Sequence, residues 1–299
     1  MKINLRKIII FITFMLSFVS HGKLNVVTTT TNLKSLVKVI GGEKVDAFSF
    51  SKGTQDPHYL EAKPSYMIKA SRADLIVSVG LDLEIGWLPL VIRGARNPKL
   101  RPGAIGSFVA GDFIDTLEKP KGKLTRADGD VHPEGNPHFL LDPLNAIKIA
   151  KEIMKKLSEL DSKNKSFYEN NFKKFSSEVE EQLVIWKKMI PKNVQVITYH
   201  KTLSYFYNRL DIENVAYLEP KPGVPPTAKH ILSVIKIAKE KNIKLAIVEN
   251  YFDPTVANRV AKDVSSLKVV TVPVTVEGEE DIKNLIDLYA KLLEIFKGG

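Results

Sequence analysis

The sequence predicts an α/β protein of two lobes, each a small, mainly parallel sheet flanked by helices, joined by one long rigid helix. Three observations carry that expectation. Short β-rich runs alternate with helical apolar stripes before residue 160 and again after residue 191, the mark of parallel sheets covered on both faces. Between them, residues 162–190 contain no glycine or proline, and Phe167, Phe172, Phe175, Val179, Leu183 and Trp186 recur at spacings of three to five. Such a helix reaches roughly 43 Å at about 1.5 Å per residue, long for one domain but suited to a flank shared by two. Its apolar spacing is too loose for sustained coiled-coil heptads. The chain of 299 residues also exceeds what one core usually serves.

Taken in order, residues 1–22 read as a secretory signal. Lys2, Arg6 and Lys7 supply the positive end, residues 8–19 form an apolar run too short to span a bilayer comfortably, and Ser20 and Gly22 give a small-residue cleavage spacing. Cleavage is expected near Gly22, with an uncleaved anchor as the alternative. A first lobe follows over 23–160. It opens with a β-rich run at 24–30, then a helical stripe at Leu33, Leu36, Val37 and Ile40, stopped by Gly41 and Gly42. Residues 45–51 read as a strand, Pro64 as a helix start, 75–79 as a strand, 84–96 as a helix around Trp87, and 108–117 as a strand. Residues 120–128 are polar and loop-like, and a helix is expected from Pro143 to about Leu157. The linking helix takes 161–190 and the second lobe 191–299. There the expected strands are 194–199, 215–218, 245–248 and 268–274, with helices at 227–241, after Asp253-Pro254, and at 280–296.

Composition narrows the function classes. The net charge of +10 falls to about +7 without the signal, and the lysines are spread along helical faces rather than interleaved with aromatics, so no nucleic-acid partner is expected. There is no cysteine, hence no disulfide, no thiolate ligand and no lipid-modified cysteine. Export without such a residue points to a protein free in the periplasm and not a lipoprotein; a monomer is also expected. No phosphate-binding loop and no Gly-x-Ser-x-Gly turn occurs.

Chemistry concentrates in histidines. The stretch 129–143 carries His132 and His138 in a loop stiffened by prolines, ending in Asp142-Pro143, where the Asp can cap a helix and the Pro suits its first turn. His58 follows the strand ending near Ser51, His200 ends the strand at 194–199, and Glu249 ends the one at 245–248. In open α/β sheets ligands bind beyond the carboxyl ends of strands. Three imidazoles and a carboxylate divided between two lobes describe a divalent-cation site closed by the cleft, and three nitrogens with one oxygen suit four-coordinate zinc better than manganese.

The segments Asp56-Pro-His-Tyr-Leu-Glu-Ala-Lys-Pro-Ser, Ala73-Asp-Leu-Ile-Val-Ser-Val-Gly-Leu-Asp-Leu-Glu, Asn136-Pro-His-Phe-Leu-Leu-Asp-Pro, Thr198-Tyr-His-Lys-Thr and Val248-Glu-Asn-Tyr-Phe-Asp-Pro occur in an order that resembles the substrate-binding proteins of ABC importers for zinc and manganese. The resemblance covers nearly all of the chain after the signal. It implies a carrier, not an enzyme, that delivers Zn²⁺ (or Mn²⁺ or Fe²⁺) to a membrane permease and its ATPase, with the metal in the cleft. The family's three histidines fall on His58, His138 and His200. Its usual Asp, after the last strand of the second lobe, has no counterpart. Glu249 is the first candidate for the fourth ligand, Glu277 the second and water the third. His132 is a possible auxiliary ligand, with an exposed loop residue as the plainer reading; His21 and His230 are not expected to bind metal. The rival readings are an exported zinc-dependent hydrolase with Glu249 or Glu219 as base, and a binder of organic solutes.

Overall fold

The computed structural model describes residues 22–122, 129 and 131–296. The expected signal segment, His21 and most of the polar loop at 120–128 lie outside them. No helix among the described residues is long and apolar enough to cross a membrane.

The first sheet is built from β1 (Leu24–Thr28), β2 (Val45–Ser49), β3 (Leu75–Ser78) and β4 (Ser107–Val109) in the order β2-β1-β3-β4. The second is built from β5 (Gln195–Thr198), β6 (Glu213–Tyr217), β7 (Leu245–Glu249) and β8 (Lys268–Val272) in the order β6-β5-β7-β8. Every pairing is parallel, so the two sheets repeat one topology. In each, the chain order reverses beside the central strand pair, β1 and β3 or β5 and β7, which is where such sheets open a crevice.

Alternation along the strands divides each sheet between two cores. Val26 faces a core shared by both lobes while Val27 faces one private to the first. In the same way Val196 faces the shared core and Ile197 the second lobe's own. The helices close these faces. α1 (Thr31–Gly41) is capped by the Thr30 side chain, which accepts from the Leu33 N–H, and buries Leu33, Leu36, Val37 and Ile40. α4 (Pro143–Leu160) starts at Asp142, whose side chain accepts from the Leu144 N–H.

The long helix is α5 (Lys165–Met189), preceded by a 3₁₀ turn at Ser162–Asn164. Its 25 residues span roughly 37 Å. Tyr168, Phe175, Val179, Leu183 and Trp186 are buried in the shared core. Asn171 donates to Ile40 O at 2.9 Å, and the Trp186 ring meets Tyr289 of α9 (Leu285–Glu294) at 5.6 Å between centroids. Each such buried side chain contributes on the order of 1.5–3 kcal/mol. The helix is therefore held along its length by both lobes and is more than a tether.

Two local expectations give way. The strand expected over 108–117 stops at Val109, because β3 has only Ile76–Ser78 to pair with it and Gly80 then turns away at φ 79°. Residues 110–113 form a 3₁₀ turn instead. The helix expected over 84–96 begins only at Leu88, as α3 (Leu88–Ala95). Leu81 and Asp82 take left-handed backbone, and the Glu84 carboxylate folds back onto the N–H groups of Val79 and Gly80. The sequence reading also passed over α6 (Ser204–Leu210), a single two-turn segment. The other helices among the described residues are α2 (Pro64–Ser71), α7 (Ala228–Glu240) and α8 (Thr255–Asp263).

Candidate metal centre

Each lobe aims imidazoles at the crevice between the sheets. His58 lies in a 3₁₀ turn, Pro57–Tyr59, beyond β2. Asp56 caps that turn, accepting from the His58 N–H at 3.0 Å and facing its Nδ1 at 2.6 Å. The turn is fixed from behind by Trp87, whose Nε1–H donates to Pro57 O at 3.0 Å. His200 follows β5 directly, and its Nδ1–H donates to Glu219, two residues beyond β6. With Nδ1 engaged by a carboxylate, each ring keeps its Nε2 lone pair for the cleft, the arrangement that fixes tautomer and direction in metal-binding histidines. His138 is held through its backbone: its N–H donates to Asn136 Oδ1 at 2.9 Å, and its Nε2 is buried without a hydrogen-bond partner among the described residues.

These three rings come together. Centroid separations are 5.4 Å for His58–His138, 5.9 Å for His58–His200 and 5.5 Å for His138–His200. One ligand atom from each lies within 4.8 Å of the others. A small cavity of about 40 Å³ opens on one side, lined by His132, His138, His200, Asn136 and Pro222 among others. That is room for one ion or water.

The electrostatics are uneven. Burial, and then the neighbouring imidazoles, push His138 well below the ordinary histidine value, so it stays a neutral lone-pair donor. Burial opposes charge on His200 too, but Glu219, with Glu249 and Asp56 behind it, raises that ring above the ordinary value. Burial pushes the Glu249 carboxyl up to about 7 against the opposing pull of His200. Neither Glu249 oxygen has a partner in hydrogen-bond geometry among the described residues, and the residue is completely buried.

Neither glutamate expected as a fourth ligand joins the three clustered histidines among the described residues. Glu249 lies behind His200 and does not join the mutual cluster of nitrogens. Glu277 is exposed and pairs with Lys34 of α1 at 2.6 Å, on the seam between the lobes. Its backbone packs so closely on Gly53 that a Cβ there would lie 2.2 Å from the Glu277 carbonyl oxygen. His132, in contrast, sits against His58, with 3.1 Å between the two Nε2 atoms and 5.2 Å between ring centroids. His230, on α7, donates its Nε2–H to Tyr217 O and its backbone N–H to Thr227 Oγ1, and is not in the cluster. The sequence reading gave Asp56 and Glu219 no part in orienting the rings. A carboxylate two residues before His58 was a usable signal; the Glu219 partnership depends on how β5 and β6 pair.

The chain is 29% identical to the metal ABC transporter substrate-binding lipoprotein SloC of Streptococcus mutans, with 86% of this chain and 84% of that one covered. It is 27% identical to the manganese ABC transporter substrate-binding lipoprotein PsaA of Streptococcus pneumoniae, with 87% and 84% covered. Among solved structures, a crystal structure of ZnuA superposes with a TM-score of 0.74 at 20% identity, covering 92% of this chain and 97% of that one. A zinc-bound deletion mutant of ZnuA gives 0.75 at 22%, covering 93% and 99%. These likenesses correct one expectation. The curated relatives are named lipoproteins, which overturns the inference of a protein free in the periplasm and not a lipoprotein. The absence of cysteine limits thiol chemistry and does not by itself assign a compartment. The model of the ZnuA family, periplasmic component A of zinc-uptake complexes, matches residues 26–299 and so takes in both sheets and all three clustered histidines; the chain belongs to that family of metal-binding substrate-binding proteins of ABC importers.

Proposed function

We propose that this protein captures Zn²⁺ in the cleft on His58, His138 and His200 and delivers it, as a monomer and without catalysing a reaction, to an ABC permease and its ATPase. The observation that carries the reading is the convergence of three imidazoles, one with an unpartnered buried nitrogen. Nitrogen ligands favour zinc over manganese, whose sites hold more oxygen. Around tetrahedral zinc, ligand nitrogens stand about 3.3 Å apart, so nitrogens up to 4.8 Å apart draw inward on binding.

His132 takes the fourth position in this reading. Its 3.1 Å approach to the His58 nitrogen is close to the spacing of two ligands on one tetrahedral ion. A fourth imidazole also fills the open coordination position that a zinc hydrolase needs for its water, which weighs against the enzymatic alternative. A manganese or iron carrier of the same type is the second reading, favoured by the relative named as a manganese binder. The test is elemental analysis of protein purified without added metal, followed by competition of zinc against manganese. Zinc is expected to displace manganese completely at equal concentrations. Preferential retention of manganese would replace the first reading with the second.

A further inference from the structure

The three histidines are not mounted alike. His58 belongs wholly to the first lobe, through Asp56 and Trp87. His138 is also a first-lobe residue by sequence, yet its loop is bonded to the segment that carries His200. The junction is Asn136, a buried side chain with every polar group engaged. Its Oδ1 accepts the His138 N–H at 2.9 Å. Its Nδ2 donates to Lys201 O at 2.8 Å and to Glu118 Oε2 at 3.1 Å. Its backbone N–H donates to Leu117 O at 2.9 Å, and its carbonyl accepts from Tyr205 Oη at 2.8 Å. Lys201 directly follows His200, and Tyr205 lies in α6.

The surroundings reinforce this junction from both lobes. Tyr205 Oη also accepts from the Leu117 N–H at 2.9 Å, and Ser204 Oγ donates to Glu118 Oε1 at 3.0 Å. Arg209 of α6 grips Asp142, the cap of α4, through two bonds of 2.8 and 2.7 Å. Glu118 is held in left-handed backbone at φ 58°, a conformation that costs about 1 kcal/mol or more in a non-glycine residue. The turn before Asn136 passes so close to Thr116 that Gly135, at φ 105°, has no space for a side chain.

We propose that Asn136 is a positioning residue that ties His138 to His200 across the lobe boundary, so that these two of the proposed metal nitrogens form one preassembled unit and His58 is brought to them by the first lobe. The inference rests on the proposed zinc site and goes beyond it by assigning the spacing of two ligands to a residue that touches no metal. A single amide does this because it satisfies both sides at once. Its acceptor orients the loop carrying His138, and its donor takes the carbonyl next to His200. Partners that orient metal-binding groups typically contribute about 10–100-fold to affinity.

The test compares Asn136→Ala, Asn136→Asp and Tyr205→Phe with the parent. Zinc competition gives the affinity, and the visible absorption of bound Co²⁺ reports four-coordinate geometry. Asn136→Asp keeps an acceptor for the His138 N–H and preserves size, while it removes the Nδ2 donor to both Lys201 O and Glu118 Oε2. Both Asn136 variants are expected to bind zinc at least tenfold more weakly and to lose Co²⁺ band intensity. Tyr205→Phe is expected to lose two- to fivefold. Ile153→Ala, a core truncation in α4, should lower the melting temperature while leaving affinity and spectrum unchanged, which separates positioning from general loosening. If Asn136→Ala does not fold, Asn136→Asp decides. Folded Asn136→Asp with zinc affinity within twofold of the parent and an unchanged Co²⁺ spectrum overturns the inference alone. A parent that binds no zinc overturns the proposed function and this inference with it.

Discussion

The two lobes repeat the same sheet order, yet they treat a buried glutamate at the central strand pair in opposite ways. In the first lobe, Glu84 sits just past the end of β3, and its carboxylate accepts the Val79 N–H at 2.7 Å and the Gly80 N–H at 3.0 Å. In the second, Glu249 ends β7 with both oxygens unpartnered among the described residues. The first lobe satisfies its buried acid with its own backbone. The second leaves one facing the histidine side of the sheet, where it raises the His200 ring. The histidine supports differ in the same sense. Asp56 is two residues from His58, whereas Glu219 reaches His200 from the neighbouring strand. The lobes share a scaffold, but the first is locally self-contained and the second gathers charge around the metal.

The strongest way to break that comparison is to remove a ring from each side. His200→Ala and His58→Ala are each expected to cost on the order of 10³-fold in zinc affinity, beyond the about 10–100-fold typical of supporting residues. Unfolding curves of the metal-free variants should show that both remain folded. Calorimetric titrations with unchanged affinity in both would remove the metal centre assigned here.

A smaller effect separates the supports. Glu219→Gln and Asp56→Asn should each weaken zinc binding by about 10–100-fold. Glu219→Gln should also bring the His200 ring down, because the paired carboxylate is what holds it up against burial. Imidazole titration by NMR on metal-free protein reads this directly. A His200 ring that titrates unchanged in Glu219→Gln would show that Glu249, not Glu219, sets its charge.

The smallest effect concerns stability. Burial raises the carboxyls of both Glu84 and Glu249 above the ordinary value, but Glu84 accepts two backbone N–H bonds in good geometry. Glu249 has a folded value of about 7 against a reference of 4.5, so the folded state holds its proton longer than the unfolded one. Stability from this group is therefore fully present below about pH 4.5 and is lost as pH rises through about 7. Metal-free Glu249→Gln is expected to be more stable than the parent at pH 8 and to match it near pH 4. Glu84→Gln should do the reverse at pH 8, losing about 1–3 kcal/mol, because an amide N–H would face backbone N–H groups that now have an acceptor. Urea unfolding at the two pH values checks both, and equal shifts in the same direction would erase the distinction between the lobes.

Much of this molecule was legible residue by residue. The apolar stripe of α1, the Asp142-Pro143 start of α4 and the uninterrupted run that becomes α5 are local signals, set by helix periodicity and capping within a turn or two. The strand-end positions of His58, His200 and Glu249 were equally plain, and the family resemblance set His138 beside the first two. Other features depended on distant packing. Glu277 stands near the expected end of the last strand, yet Lys34 and Gly53 hold it on the interlobe seam. His132 looked like an exposed loop residue, and chain folding sets it against His58.

The sequence by itself determined the fold class and the long helix, because these follow from short-range periodicity and recognisable motifs. Only the tertiary structure decided which carboxylate stands behind which ring and that Asn136 joins the two halves. Those relations depend on strand order and on contacts between residues far apart in the chain, such as Asn136 with Lys201 and Tyr205. A directed hydrogen bond forms only within a few tenths of an ångström of its proper distance, and packing alone supplies that precision.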